Sequence, residues 1–197
     1  MSQLTFQSTA QENLLHSIDV CGTQYAGTGS LGMQFQIASG TGLFYTYTWT
    51  TLSNTASFGM WINTSILSTD TNFYSTLGLI GGAGGVDYIQ GEEQGTGSQL
   101  QIHMETISGN HGSINVSNNT WYWVTGQYVK GGTHSLAVYD TTGTQVGSTI
   151  TAAATGSAAP IIFEFGRSGS EAGAPVATFW YDNLKMDYMF GTFPLLP

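Results

Sequence analysis

Between Asn119 and Thr151 the chain alternates apolar and polar positions with a period of two. The stretch reads NTWYWVTGQYVKGGTHSLAVYDTTGTQVGSTIT. Three runs of aromatic and β-branched residues are cut by Lys130-Gly131-Gly132 and by Asp140-Thr141-Thr142-Gly143. Such runs, joined by Gly/Asp/Thr turns, predict consecutive β-hairpins. In the first run Trp121, Trp123 and Thr125 share one face, and Tyr122, Val124 and Gly126 share the other. In the second, Leu136 and Val138 alternate with Ala137 and Tyr139.

The same period recurs along the rest of the chain. Leu4-Thr5-Phe6 predicts a short first strand, and residues 8–29 read as irregular. Leu31, Met33, Phe35 and Ile37 point inward, with Gly32, Gln34 and Gln36 outward, as in a sheet with one wet face. Leu43 to Thr50 sets Tyr45, Tyr47 and Trp49 on one face against Phe44, Thr46 and Thr48. Ser57 to Thr64 opposes Phe58, Met60 and Ile62 to Ser57, Gly59, Trp61 and Asn63. Phe73 to Ile80 predicts a strand, Gly81 to Gly85 a loop because glycines resist ordering, and Val86 to Gln90 a strand again. Gly91-Glu92-Glu93-Gln94-Gly95 reads as an acidic turn. Ser98 to Ile107 follows, with Leu100, Ile102, Met104 and Thr106 on one side and Gln99, Gln101, His103 and Glu105 on the other. Ala152 to Pro160 is a small-residue linker, Ile161 to Phe165 an apolar strand, Gly166 to Ala174 a loop, and Ala177 to Tyr188 a long closing strand. About twelve short strands without a helical pattern predict an all-β fold. The expected architecture is a two-sheet antiparallel β-sandwich, a jelly roll, forming a single domain over 1–197 with its core at about 25–188.

Composition narrows the partners. Aromatics make up 13% and charged residues only 8%, against the roughly 25% usual for soluble domains, so Ser, Thr, Asn and Gln must supply the solvated surface. Arg167, Lys130 and Lys185 face 12 acidic residues, for a net charge of −9. No basic surface can be assembled, which argues against nucleic acid and other polyanions. Neutral glycans and other protein subunits remain as partner classes, self-association among them. No run approaches the ~20 apolar residues of a membrane span, and the start MSQLTFQSTAQENLL lacks the pattern of a signal peptide. The single cysteine, Cys21, reads as a small buried residue. A polar surface of this kind predicts an extracellular or particle-surface location.

The order of YAGTGSLGMQFQI, ASFGMWINT, NTWYWVTGQYV, HSLAVYDTTGTQVG, IIFEFGR and FWYDNLKMDY resembles the concanavalin A-like lectin/glucanase superfamily, which includes laminin-G-like modules. The likeness spans roughly residues 25 to 188 and is distributed over strands. It implies the jelly-roll fold, and it implies sites to look for. The family's glucanases carry paired glutamates on one strand, E-x-D-x-E or E-x-D-x-x-E. No such run occurs here, and Glu92-Glu93 would point to opposite faces of a strand. The family's alginate-type lyases carry an Arg-rich strand with a Q-I-H strand. Gln101-Ile102-His103 matches the second, the first is missing, and the match reads as coincidence. His16, His111 and His134 show no metal spacing and read as surface or turn residues. The expectation is therefore no catalytic residue and no enzyme activity. In many members a carboxylate of the closing strand holds a structural calcium ion with carbonyls of the N-terminal segment. The resemblance places Asp182 there, although it could instead cap backbone amides.

Two functions follow. The first is a non-catalytic, lectin-like module for neutral glycans, with Tyr45, Tyr47, Trp49, Trp61 and Trp121 as contact residues. Same-face residues on a strand lie about 6.6–6.8 Å apart, a spacing that lets an exposed aromatic row stack on sugar rings. The same row facing the other sheet would be core. The second is a structural or assembly subunit, such as a virion decoration, fibre or cell-surface protein.

Overall fold

The computed structural model describes residues 18–21, 32–37, 43–48, 53–64, 73–82, 87–95, 100–167, 177–188 and 192–197. Their elements are all strands: β1 (Ile18–Cys21), β2 (Gly32–Ile37), β3 (Leu43–Thr48), β4 (Thr55–Thr64), β5 (Phe73–Gly82), β6 (Tyr88–Gly95), β7 (Leu100–Thr106), β8 (Gly109–Val116), β9 (Tyr122–Val129), β10 (Thr133–Tyr139), β11 (Gln145–Ala153), β12 (Pro160–Arg167) and β13 (Ala177–Asp187). They form two antiparallel sheets. The seven-stranded sheet runs β1-β2-β13-β4-β9-β10-β11, and the six-stranded sheet runs β3-β12-β5-β6-β7-β8. The fold is an all-β two-sheet sandwich. Among the described residues no helix is long and apolar enough to cross a membrane.

Alternation along each strand builds the core. Phe58, Met60, Ile62, Val124, Leu136, Val138 and Tyr181 come from the seven-stranded sheet. They meet Ile80, Ile89, Ile102, Met104, Phe163 and Phe165 of the other. Aromatic contacts tie the layers: Phe58 to Phe163 at 5.4 Å between ring centroids, and Phe165 edge-on to Tyr181 at 5.4 Å.

Several expectations change. Gly91 to Gly95 is strand, not turn: β6 pairs along that stretch with β5 and with β7, Glu92 standing opposite His103. Pairing on both sides satisfies the backbone there and overrides the turn-like composition. Gly81 and Gly82 likewise extend β5. A Cβ on Gly82 would stand 2.7 Å from the Tyr128 hydroxyl, so the glycine allows a close approach between the two sheets. β8 was not anticipated, and β1 falls within a stretch read as irregular. His134 is fully buried, not a surface residue, because Asp87 and the Val129 N–H satisfy both of its ring nitrogens. The predicted strand Leu4-Thr5-Phe6 and His16 lie outside the described residues, as does the side chain of Cys21.

The C-terminal segment Thr192–Pro197 lies across the outer face of the seven-stranded sheet. Trp123 Nε1–H donates to the Leu195 carbonyl (2.6 Å), and the Leu195 N–H donates to Thr125 Oγ1 (3.1 Å). Lys185 Nζ donates to the Leu196 carbonyl (3.0 Å) and sits 5.7 Å from the centre of the Trp123 ring. Asp187 accepts from the Thr192 N–H and hydroxyl.

Ser57 supplies a first test. It is fully buried and its hydroxyl has no hydrogen-bond partner. A buried hydroxyl without a partner costs about 1–3 kcal/mol of desolvation, so Ser57→Ala is expected to be neutral or to stabilise. Urea melts of the two proteins check this, and a lower midpoint for the alanine variant would mean that the hydroxyl has a partner in solution.

Candidate functional site

The outer face of the six-stranded sheet gathers hydrogen-bonding side chains. Leu100, Ile102 and Met104 of β7 turn into the core, so Gln101, His103 and Glu105 turn outward by the strand period. Register then brings β8 beside them: Asn115 opposite Gln101, Ser113 opposite His103, and Asn110 opposite Glu105. On the other flank β6 sets Gln90 opposite Glu105. Glu164 of β12 extends the same row, since it pairs with Leu79, which pairs with Gln90.

The groups on this face are held by one another. Gln101 Nε2 donates to Asn115 Oδ1 at 2.7 Å. Asn110 Oδ1 accepts the Gly112 N–H at 2.9 Å, which turns Asn110 Nδ2 toward His103 Nδ1 at 2.6 Å. His103 Nδ1 is thus an acceptor, and the neutral ring carries its proton on Nε2. Burial pushes the His103 imidazole below its ordinary range, against the opposing effect of the Asn110 bond. At the end of the β7–β8 hairpin, His111 Nε2 lies 2.7 Å from Thr106 Oγ1 and 3.0 Å from Ser108 Oγ, which fixes the turn.

Neither lysine stands on this face: Lys130 is in the β9–β10 turn and Lys185 on β13. Carboxamides, a serine and carboxylates therefore make a surface that exchanges hydrogen bonds with hydroxyl groups and offers an anionic chain no lysine counter-charge, while the His103 ring itself is buried.

The contact residues expected from the sequence are not assembled here. Tyr45 and Tyr47 lie on β3, at positions opposite Phe165 and Phe163 in the register. Their side chains, and the whole of Trp49, lie outside the described residues. Trp61 is only 5% exposed and packs edge-on to Trp123 at 5.5 Å, beside the C-terminal segment, so it is corrected from contact residue to buried packing residue. Trp121 is half-buried just before β9, on the other sheet. Asp182 is half-buried on β13, and its Oδ1 accepts the Asn183 N–H at 2.8 Å. Among the described residues no three His, Cys, Asp or Glu side chains gather around a metal position. The N-terminal carbonyls that the calcium expectation invokes lie outside the described residues. The polar face itself was partly readable, since Gln101, His103 and Glu105 alternate with core residues.

No family model matches the chain, and no curated protein sequence does. Solved structures do. The chain is similar to the cellulose-induced protein Cip1 at 12% identity, covering 87% of this chain and 85% of that one, with a TM-score of 0.61. It is similar to an alginate lyase of polysaccharide lyase family 7 at 13% identity, covering 82% and 80%, with a TM-score of 0.58. It is also similar to the binding domain of botulinum neurotoxin DC, solved in complex with sialylT, at 11% identity and a TM-score of 0.53. There the match covers 87% of this chain but 41% of the toxin chain. At these identities the likeness is one of fold, and it agrees with a jelly-roll-like sandwich. It also corrects the expectation that the chain is not an enzyme: the alginate lyase shows that this same sandwich supports catalysis.

Proposed function

We propose that this chain is a carbohydrate-binding β-sandwich that takes neutral glycans on the outer face of its six-stranded sheet. The observation that supports this reading most directly is the ordered polar row on β7 and β8, in which Gln101 and Asn115 are joined at 2.7 Å and His103 and Asn110 at 2.6 Å. Preorganised donors and acceptors of this kind can bind hydroxyls without first losing side-chain entropy. The carboxylates of Glu105 and Glu164 in the row favour uncharged sugars over uronates. The neurotoxin binding domain solved with sialylT is consistent with ligand recognition on such a sandwich. The low charge of the chain suits an extracellular or particle-surface setting.

A glycan array of neutral β-glucans, mannans, galactans and xylans tests the reading, followed by calorimetry on the strongest hit. Gln101→Ala and Asn115→Ala are each expected to weaken binding about tenfold, the effect of about 1.4 kcal/mol, with unchanged melting temperature. An array without a hit, or variants that bind as tightly as the parent, would sink the proposal.

A further inference from the structure

The outer face of the seven-stranded sheet holds polar atoms that the reading above leaves unused. Phe58, Met60 and Ile62 of β4 turn into the core, so Asn63 turns outward with Trp61. Asn63 is nonetheless only 5% exposed, and its Oδ1 has no hydrogen-bond partner. Directly opposite in the register stands Trp180 of β13, whose indole Nε1–H is also buried and also lacks a partner. An unpaired acceptor and an unpaired donor thus sit on cross-strand neighbours, whose Cβ atoms lie about 4.5–5.5 Å apart. Native proteins rarely leave such atoms unmet unless water or a ligand takes them.

The chain itself shows what this face accepts. Two positions along β9, the indole N–H of Trp123 is met by the Leu195 carbonyl, a neutral oxygen acceptor, at 2.6 Å. The C-terminal segment makes its hydrogen bonds with Trp123, Thr125, Lys185 and Asp187, and leaves the Asn63 and Trp180 atoms unmet. Trp121, half-buried, is held beside Asn63 because the Asn119 N–H donates to the carbonyl of neighbouring Thr64 at 2.9 Å. Lys185 is engaged with Leu196 and Trp123, so no lysine is available here for an anion.

We propose that Asn63, Trp180 and Trp121 form a second ligand site, on the sheet opposite the first, for a hydroxylated ring of a neutral sugar. A sugar hydroxyl can accept from Trp180 Nε1–H and donate to Asn63 Oδ1 at the same time. The C–H face of the ring packs on the indole of Trp121, an apolar plate with a polar edge. The site does not depend on the six-stranded face and can bind whether or not that face does.

The test is an NMR titration of the full chain, carrying ¹⁵N-labelled tryptophan indoles and ¹³C-labelled histidine rings, with the methyl glycosides of glucose, galactose, mannose and N-acetylglucosamine. The Trp180 indole resonance is identified by its loss in Trp180→Phe, or by sequential assignment of the parent protein if that variant does not fold. The expected result is a saturable shift of the Trp180 and Trp121 indoles with at least one glycoside, the Trp123 indole staying still. Asn63→Ala should weaken that response tenfold or more. A Trp180 indole that moves with none of the four glycosides overturns the site. So does an indole in persistent exchange with one internal water at saturating glycoside. The His103 ring resonances report on the six-stranded face in the same samples, so failure of one site is separable from failure of the other.

Discussion

Replacing His134 by alanine is expected to destabilise the protein by about 3–5 kcal/mol, the usual cost of removing one partner from a buried pair. At ~2–4 °C per kcal/mol for a chain of this size, the melting temperature should fall by about 10 °C. Both side chains of the His134–Asp87 pair are fully buried, with Nε2 and Oδ2 at 3.3 Å. The Val129 N–H donates to Nδ1 at 3.2 Å, so the neutral ring accepts on one side and donates to the carboxylate on the other. Tyr128 stacks on the imidazole at 4.5 Å and donates its hydroxyl to the Ala158 carbonyl. Burial, with the Asp87 charge adding to it, pushes that phenol up to about 12. Thr155 donates to the second oxygen of Asp87 at 3.2 Å, so the network also fastens the connection between β11 and β12. Alanine at 134 would take the imidazole donor from the buried Asp87 carboxylate and the Nδ1 acceptor from the part-buried Val129 N–H.

The same pair sets a pH dependence. Burial holds His134 below its ordinary range, more strongly than Asp87 raises it, and the nearby His111 lowers it further. A base whose folded form resists protonation binds more protons when unfolded. Stability is therefore complete above the ordinary histidine range and is lost as pH falls from about 6.5 downward. His103, lowered by burial as well, acts in the same direction. Urea melts between neutral and mildly acidic pH should show a shallower acid loss in His134→Ala than in the parent. Asp87→Asn, which keeps an acceptor for Nε2–H, should cost less than His134→Ala. A His134→Ala variant within 1 kcal/mol of the parent, about the size of one ordinary hydrogen bond, would show that the pair contributes little.

Where period-two alternation is strict, the sequence was enough. Phe58, Met60 and Ile62 on β4, and Leu100, Ile102 and Met104 on β7, lie inside as the pattern requires. β8 escaped notice because an edge strand with a largely exposed pattern, GNHGSINV, has few apolar residues to mark it. Gly91 to Gly95 misled because its charge and glycine resemble a turn, while only the flanking β5 and β7 reveal a ladder. Trp61 misled for a longer-range reason. Its neighbour Trp123 is capped by Leu195, 72 positions away, and no local pattern announces that cover. On the polar face, Gln101, His103 and Glu105 were legible as one side of β7. Their partners Asn110, Ser113 and Asn115 were not, since register across a hairpin is fixed by the turn and by its His111 bonds to Thr106 and Ser108.

The ring of Phe58 makes the second large effect predictable. It is fully buried between the sheets, with Phe163 at 5.4 Å. Two glycines bound it, Gly126 on β9 of its own sheet and Gly78 on β5 of the facing sheet. A Cβ on Gly126 would stand 2.4 Å from Phe58 Cε1, and one on Gly78 would stand 2.4 Å from Cε2. The ring cannot retreat from one without meeting the other. Gly126→Ala is therefore expected to cost about 3 kcal/mol, the upper part of the overpacking range, and Gly126→Val to prevent folding. Gly78→Ala should cost more than Gly126→Ala, because its φ of +136° adds backbone strain for any residue with a Cβ. The decisive measurement is a double-mutant cycle with Phe58→Leu, which removes the ring edge. In the double variant, Gly126→Ala should recover at least 1 kcal/mol relative to additivity, within the range for residues in contact. Strict additivity would mean that the glycine is required for something other than room for the phenylalanine ring.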